Sequence, residues 1–166
     1  MYQFDIRDAC KAELYHDLYA AMDALTAGEA DPVANMANAA ALVWEYLPDL
    51  NWAGFYRMIA GELVLGPFQG KVACIRIAIG QGVCGTAAAT RTTQIITDVH
   101  AFPGHIACDT ASNSELVVPI LCDGRLFGVL DLDSPKHARF DDEDAAGCEA
   151  LAQLLANRLC LAMGRD

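Results

Sequence analysis

Long apolar runs, positive charge and paired cysteine motifs are all scarce in this 166-residue chain, and each scarcity excludes something. No stretch approaches the ~18 apolar residues that a membrane span requires, so no transmembrane helix is expected. The opening MYQFDIRDACKAE carries Asp5, Arg7, Asp8 and Lys11 where a secretory leader would have its apolar core. A soluble, cytoplasmic protein is therefore expected. Lys and Arg number 11 against 22 Asp and Glu, giving a formal net charge of −11. That balance disfavours nucleic acid and anionic membrane surfaces as partners. The seven cysteines, Cys10, Cys74, Cys84, Cys108, Cys122, Cys148 and Cys160, contain no C-x-x-C pair, which makes a zinc knuckle a poor reading. An odd number of cysteines without an export signal does not read as a disulfide scaffold either. With no repeat, low-complexity tract or linker, a single domain over residues 1–166 is expected.

What remains is a globular composition, 54% hydrophobic and 20% charged, in a chain long enough to bury a core. Cys10, Leu14, Leu18, Met22 and Leu25 recur at helical spacing up to Gly28. Asp31-Pro32 reads as an N-cap with proline at the first helical position. Val33, Met36, Ala37, Ala40, Ala41, Trp44 and Leu47 then form the expected buried stripe, which Pro48 ends. The middle turns to short strands at 52–58, 62–67, 74–79, 93–97, 114–121 and 125–133. Tight links at Ala60-Gly61 and Asp123-Gly124 imply antiparallel hairpins. Residues 82–90 follow a Gly-rich turn as a short helix. A last helix starts at Asp141–Asp144, with a stripe of Ala145, Cys148, Leu151, Ala152, Leu155 and Leu159. The pattern predicts an α+β domain with a central antiparallel sheet. The N- and C-terminal helices cover one face, and a ligand pocket lies under loops on the other.

The loop at 98–113, DVHAFPGHIACDTASN, is longer than a connector needs and holds His100, His105 and Cys108. A nearby histidine favours a reactive Cys108 thiolate, whereas the adjacent Asp109 opposes it. Cys84, between Gly82 and Gly85, sits where a helix N-terminus would stabilise a thiolate, and Cys74 begins a strand. Both are equally readable as small core residues. Cys148 reads as core, and Cys10, Cys122 and Cys160 have no neighbour that argues for function.

Asp131 and Asp133 alternate with Leu130 and Leu132, so both project from one sheet face. A two-residue hairpin loop would pair Glu115 with Leu132 and send it to the opposite face. A three-residue loop would pair it with Asp131. Like charges brought together this way need a purpose: a cationic ligand group, a metal, or a carboxyl that keeps a proton. An ammonium with a proton donor suits them better than a metal, and a solvated acidic edge is the bland alternative. Trp52 and Tyr56 share a strand face, as a pocket wall or as simple core.

Together, NWAGFY (51–56), LVLGPFQGKVAC (63–74), GQGVCGTAAAT (80–90), DVHAFPGHIACD (98–109), SNSELVVP (112–119) and GVLDLDS (128–134) resemble the free methionine-(R)-sulfoxide reductases, a family of GAF domains. The resemblance implies that Cys108 is the nucleophile and that Cys74 and Cys84 are candidate resolving thiols. It implies that Trp52, Glu115, Asp131 and Asp133 line the substrate pocket, to which the shared strand face adds Tyr56; sulfur chemistry then makes Glu115 or Asp133 the proton donor. It also implies free methionine-(R)-sulfoxide as substrate, no metal or organic cofactor, and thioredoxin as external reductant. A homodimer is compatible with the exposed faces. The GAF fold also serves ligand-binding sensors, so the fold alone does not imply catalysis.

Overall fold

The fold is described from a computed structural model, over residues 10–104 and 110–163, with side chains as far as Cys160. Helix α1 (Lys11–Thr26) buries Leu18 and Met22. Helix α2 (Pro32–Tyr46) starts at Asp31, whose carboxylate accepts from the Ala34 amide at 2.8 Å, with Pro32 in its first turn. Its buried face runs through Asn35, Met36, Ala39, Ala40, Leu42, Val43 and Tyr46 rather than along the expected stripe. Of that stripe, Val33, Ala37, Ala41 and Trp44 are exposed. Alanines on both sides of the helix leave its orientation undecided, and the large Leu42, Val43 and Tyr46 settle it.

Six antiparallel strands follow: β1 (Trp52–Ile59), β2 (Glu62–Gly70), β3 (Arg76–Ile77), β4 (Gln94–Ile96), β5 (Ser114–Cys122) and β6 (Arg125–Ser134), in the spatial order β3-β2-β1-β6-β5-β4. Both hairpin links are two residues long, which settles the two alternatives weighed for Asp123-Gly124. Ala60-Gly61 and Asp123-Gly124 all adopt positive φ, as the tight type I′ hairpin turn demands. Strand β3 is shorter than the expected 74–79 and pairs with β2 only at Arg76 and Ile77. Helix α3 (Gly82–Thr90) and a short 3-10 turn (Val99–Ala101) lie between β3 and β5, the latter within a loop expected to lack structure.

Helices α1, α2 and α4 (Asp142–Met163) cover one sheet face, packing on Ala53, Phe55, Leu116, Val118, Ile120, Leu130 and Leu132. Asp144, 1% exposed, ties α4 to α1 by accepting from Tyr15 Oη at 2.9 Å and Lys11 Nζ at 2.6 Å, with Arg139 at 3.1 Å. The opposite face carries a second apolar cluster. There α3 lays Val83, Cys84, Ala87 and Ala88 over Tyr56, Leu63, Val117 and Val129. Gly85 permits this close seat, because a Cβ there would stand 2.5 Å from the Ala78 carbonyl oxygen. The helices and the pocket thus divide between the two faces as the sequence predicts.

Candidate active site

The hairpin register decides which acids meet, and it follows neither expected alternative. Cys122 pairs with Arg125 and Leu121 with Leu126 across the two-residue turn, but Ile120 pairs with Gly128. Phe127 is therefore the extra residue of a β-bulge, and beyond it Glu115 stands opposite Asp133 and Val117 opposite Asp131. A two-residue turn alone would have put Glu115 on the other face. The bulge restores the parity that a three-residue loop was expected to supply. Strand β1 completes the floor, with Trp52 opposite Asp133 and Gly54 opposite Asp131.

Trp52 lies across this floor, stacked on Tyr56 at 5.9 Å and on Phe68 at 5.2 Å between ring centroids. Gly54 makes room for it: a Cβ there would meet Phe68 Cβ at 2.3 Å and the Trp52 ring at 2.7 Å. Both aromatic residues also hold the segment that follows β2. Trp52 Nε1 donates to the Lys71 carbonyl at 3.1 Å, and Tyr56 Oη donates to the Cys74 carbonyl at 3.1 Å. The result is a cavity containing about 530 Å³ of atom-free space continuous with solvent, walled by the 72–73 segment, the start of α3 and the acidic floor.

Burial governs the chemistry of the floor. Glu115 and Asp131 are each only 6% exposed. Desolvation, followed by the neighbouring charges of Asp131 and Asp133, pushes the Glu115 carboxyl well above the ordinary carboxylate range. Desolvation pushes Asp131 up to about 6, restrained by hydrogen bonds from Cys84 and Glu115. Burial and its charged neighbours thus favour the protonated form of Glu115 more strongly than that of Asp131. Among the described residues, Asp131 Oδ1 is buried without a hydrogen-bond partner, although it lines an open cavity. An orphaned buried carboxylate oxygen is costly and is explained most simply by a donor that arrives with a ligand.

Cys84 Sγ lies 4.0 Å from Glu115 Oε1. Desolvation first, and then Asp131 and Glu115, push its thiol well above the ordinary value, so the expected thiolate at a helix N-terminus does not form. Its sulfur and the carboxylates of Glu115 and Asp131 all come within 4.8 Å of one another. This trio could hold a metal only by releasing the protons that burial keeps on Cys84 and Glu115. Cys74 is disulfide-bonded. Cys108, with His105 and Asp109, lies outside the described residues.

Comparisons with known proteins bear on this geometry. The GAF domain family matches residues 24–162. The free methionine-R-sulfoxide reductase of Escherichia coli is 55% identical over 146 residues, covering 88% of this chain and 87% of its own. The chain belongs to the free methionine-R-sulfoxide reductase family of GAF domains. A solved member, that of Neisseria meningitidis in complex with its substrate, is 43% identical and superposes with a TM-score of 0.95 over the full length of both chains. A structure from Burkholderia vietnamiensis described as a putative GAF sensor protein is 58% identical, with a TM-score of 0.90, covering 95% of this chain and all of its own.

Of the residues singled out from sequence, the fold gathers Trp52, Tyr56, Cys84, Glu115, Asp131 and Asp133 around one cavity. Sequence reasoning missed Ser112, Gln81 and Ile77, which also line it. Ser112 is buried and accepts from Asn51 Nδ2 at 2.9 Å. Its place in SNSELVVP, three residues before Glu115, was the available signal.

Proposed function

We propose that this protein reduces free methionine-(R)-sulfoxide to methionine with Cys108 as nucleophile and Glu115 as proton donor. One observation carries the reading: a buried Glu115 carboxyl beside Asp131, whose buried Oδ1 has no partner among the described residues, both facing an aromatic-walled cavity. An ammonium group satisfies Asp131, and Asp133 adds negative charge on the same side. Trp52 and Tyr56 offer flat, polarisable faces to the methyl-sulfur end. The amides at the start of α3, which have no carbonyl partner within the helix, suit the substrate carboxylate. Engaging both termini selects the free amino acid, because peptide bonds tie those groups up.

The Cys108 thiolate attacks the sulfoxide sulfur while Glu115 protonates the oxygen. Methionine leaves, and the oxygen remains on Cys108 as a sulfenic acid. A second thiol condenses with it, releasing water and forming a disulfide. We assign that second role to Cys74. Its engagement in a disulfide supports this, and the neutral, buried Cys84 is a poor nucleophile. An external dithiol then reduces the disulfide, with thioredoxin the proposed donor. Val72 and Ile75, 87% and 71% exposed, flank Cys74 and offer an apolar rim to a protein reductant. The thiols supply both electrons, so the cycle as proposed calls on neither a metal nor an organic cofactor.

A coupled assay with thioredoxin, its reductase and NADPH tests the proposal. Free methionine-(R)-sulfoxide should drive NADPH loss, whereas the S epimer and the N-acetylated R-sulfoxide should not. Equal turnover of the two epimers, or none of either, would refute the assignment.

A further inference from the structure

Away from the cavity, Cys122 at the end of β5 and Cys160 in α4 are joined as a disulfide, with Cα atoms 5.7 Å apart. Neither cysteine has a sequence neighbour that argues for function, yet the fold brings the two together. Thirty-eight positions separate them in sequence, so chain proximity does not bring them together. The turn after β5 does: Asp123 and Gly124 reverse the chain beneath the end of α4. Both cysteines are half-buried, within reach of small solutes. Glu115 and Cys122 occupy opposite ends of β5, which keeps the pair out of the reductase cavity.

We propose that Cys122 and Cys160 form a second, independent oxidation site that takes a hydroperoxide as oxidant and staples α4 to the β5–β6 hairpin. One thiolate attacks the peroxide, the O–O bond breaks, and the alcohol or water derived from the distal oxygen leaves. The resulting sulfenic sulfur is attacked by the other thiolate. Its S–O bond breaks, water leaves and the S–S bond forms. The two thiols lose two electrons and the peroxide gains them. The Asp123 carboxylate lies within 4.8 Å of both sulfurs and disfavours their thiolates. The pair is therefore a slow thiol site, closing when oxidant is abundant rather than in every catalytic turnover. Closing a loop of this length restricts the unfolded chain, so the staple stabilises the fold under the same oxidising conditions that generate sulfoxides.

The experiment compares the full chain with Cys160→Ser and Cys122→Ala, each fully reduced and then treated with excess hydrogen peroxide. Non-reducing peptide mass spectrometry should find a Cys122–Cys160 linked peptide in the wild type. The oxidised wild type should melt about 10 °C above its reduced form. In both variants, which lack the staple, that difference should shrink by at least half. Dithiol-supported reductase turnover should stay within twofold of wild type in both variants. Cys122 or Cys160 linked to other cysteines instead of to each other, or equal melting shifts in wild type and variants, would overturn the proposal. So would a reduced protein that retains one zinc ion per chain at this pair and resists peroxide, since the cluster would then be a metal site.

Discussion

Substituting Glu115 by glutamine isolates the proton this account depends on. The amide keeps the shape and can still donate a hydrogen bond to Asp131, but it cannot give up a proton to the sulfoxide oxygen. General-acid catalysis typically contributes about 10²–10⁴ in rate, so kcat should fall by that factor while KM changes far less. The pH profile carries the sharper signature. In the wild type, kcat/KM needs Asp131 ionised and Glu115 protonated. Activity should fall on the acid side through about pH 6, the value to which burial pushes Asp131. It should fall on the alkaline side as Glu115 loses its proton, well above the ordinary carboxylate range. In Glu115→Gln the acid limb stays and the alkaline limb disappears. The assay is steady-state turnover from pH 4.5 to 9.5 with a dithiol reductant held in excess. A variant retaining more than a third of wild-type kcat, or keeping its alkaline limb at the same midpoint, would refute the role.

The same burial has a thermodynamic consequence. Asp131 rises from 3.8 to about 6 on folding, so its contribution is fully present below about pH 4 and is lost as pH rises through 6, amounting to about 3 kcal/mol. Chemical denaturation should show wild-type stability falling over that window, and Asp131→Asn should flatten the fall while abolishing substrate binding. Gly54→Ala should destabilise by about 1–3 kcal/mol and raise KM, because its methyl collides with Phe68 and Trp52; urea unfolding and kinetics check both effects. Asp144→Asn strips the buried partner from Lys11 and Arg139 and should cost about 3–5 kcal/mol in a thermal melt, with little effect on KM. Cys84→Ser should spare both the first turnover and recycling, whereas Cys74→Ser should stop recycling alone, as methionine release with and without thioredoxin will report.

Much of the architecture was legible because alternation and turn residues agreed: Ala60-Gly61 and Asp123-Gly124 both close two-residue hairpins, and Asp31-Pro32 starts a helix. The acidic cluster was legible as a set of residues but not as a register. The Phe127 bulge brings Glu115 opposite Asp133, and its one signal in RLFGVLDLD is Gly128, an isolated strand glycine beside it. The face of α2 was misread by about one residue because alanine is indifferent to burial. Of the two readings left open for Cys84, burial favours the neutral core thiol, because a helix N-terminus favours a thiolate only where desolvation is small, and here desolvation is the largest cause of its shift. Pairing of Cys122 with Cys160 depends on how α4 crosses the hairpin, a tertiary relation that spacing does not encode.

The most direct measurement is a single turnover by fully reduced protein without added reductant, counting methionine released from free methionine-(R)-sulfoxide. The account predicts one equivalent from the wild type, one from Cys74→Ser and none from Cys108→Ser. Methionine release by Cys108→Ser at the wild-type rate would contradict it.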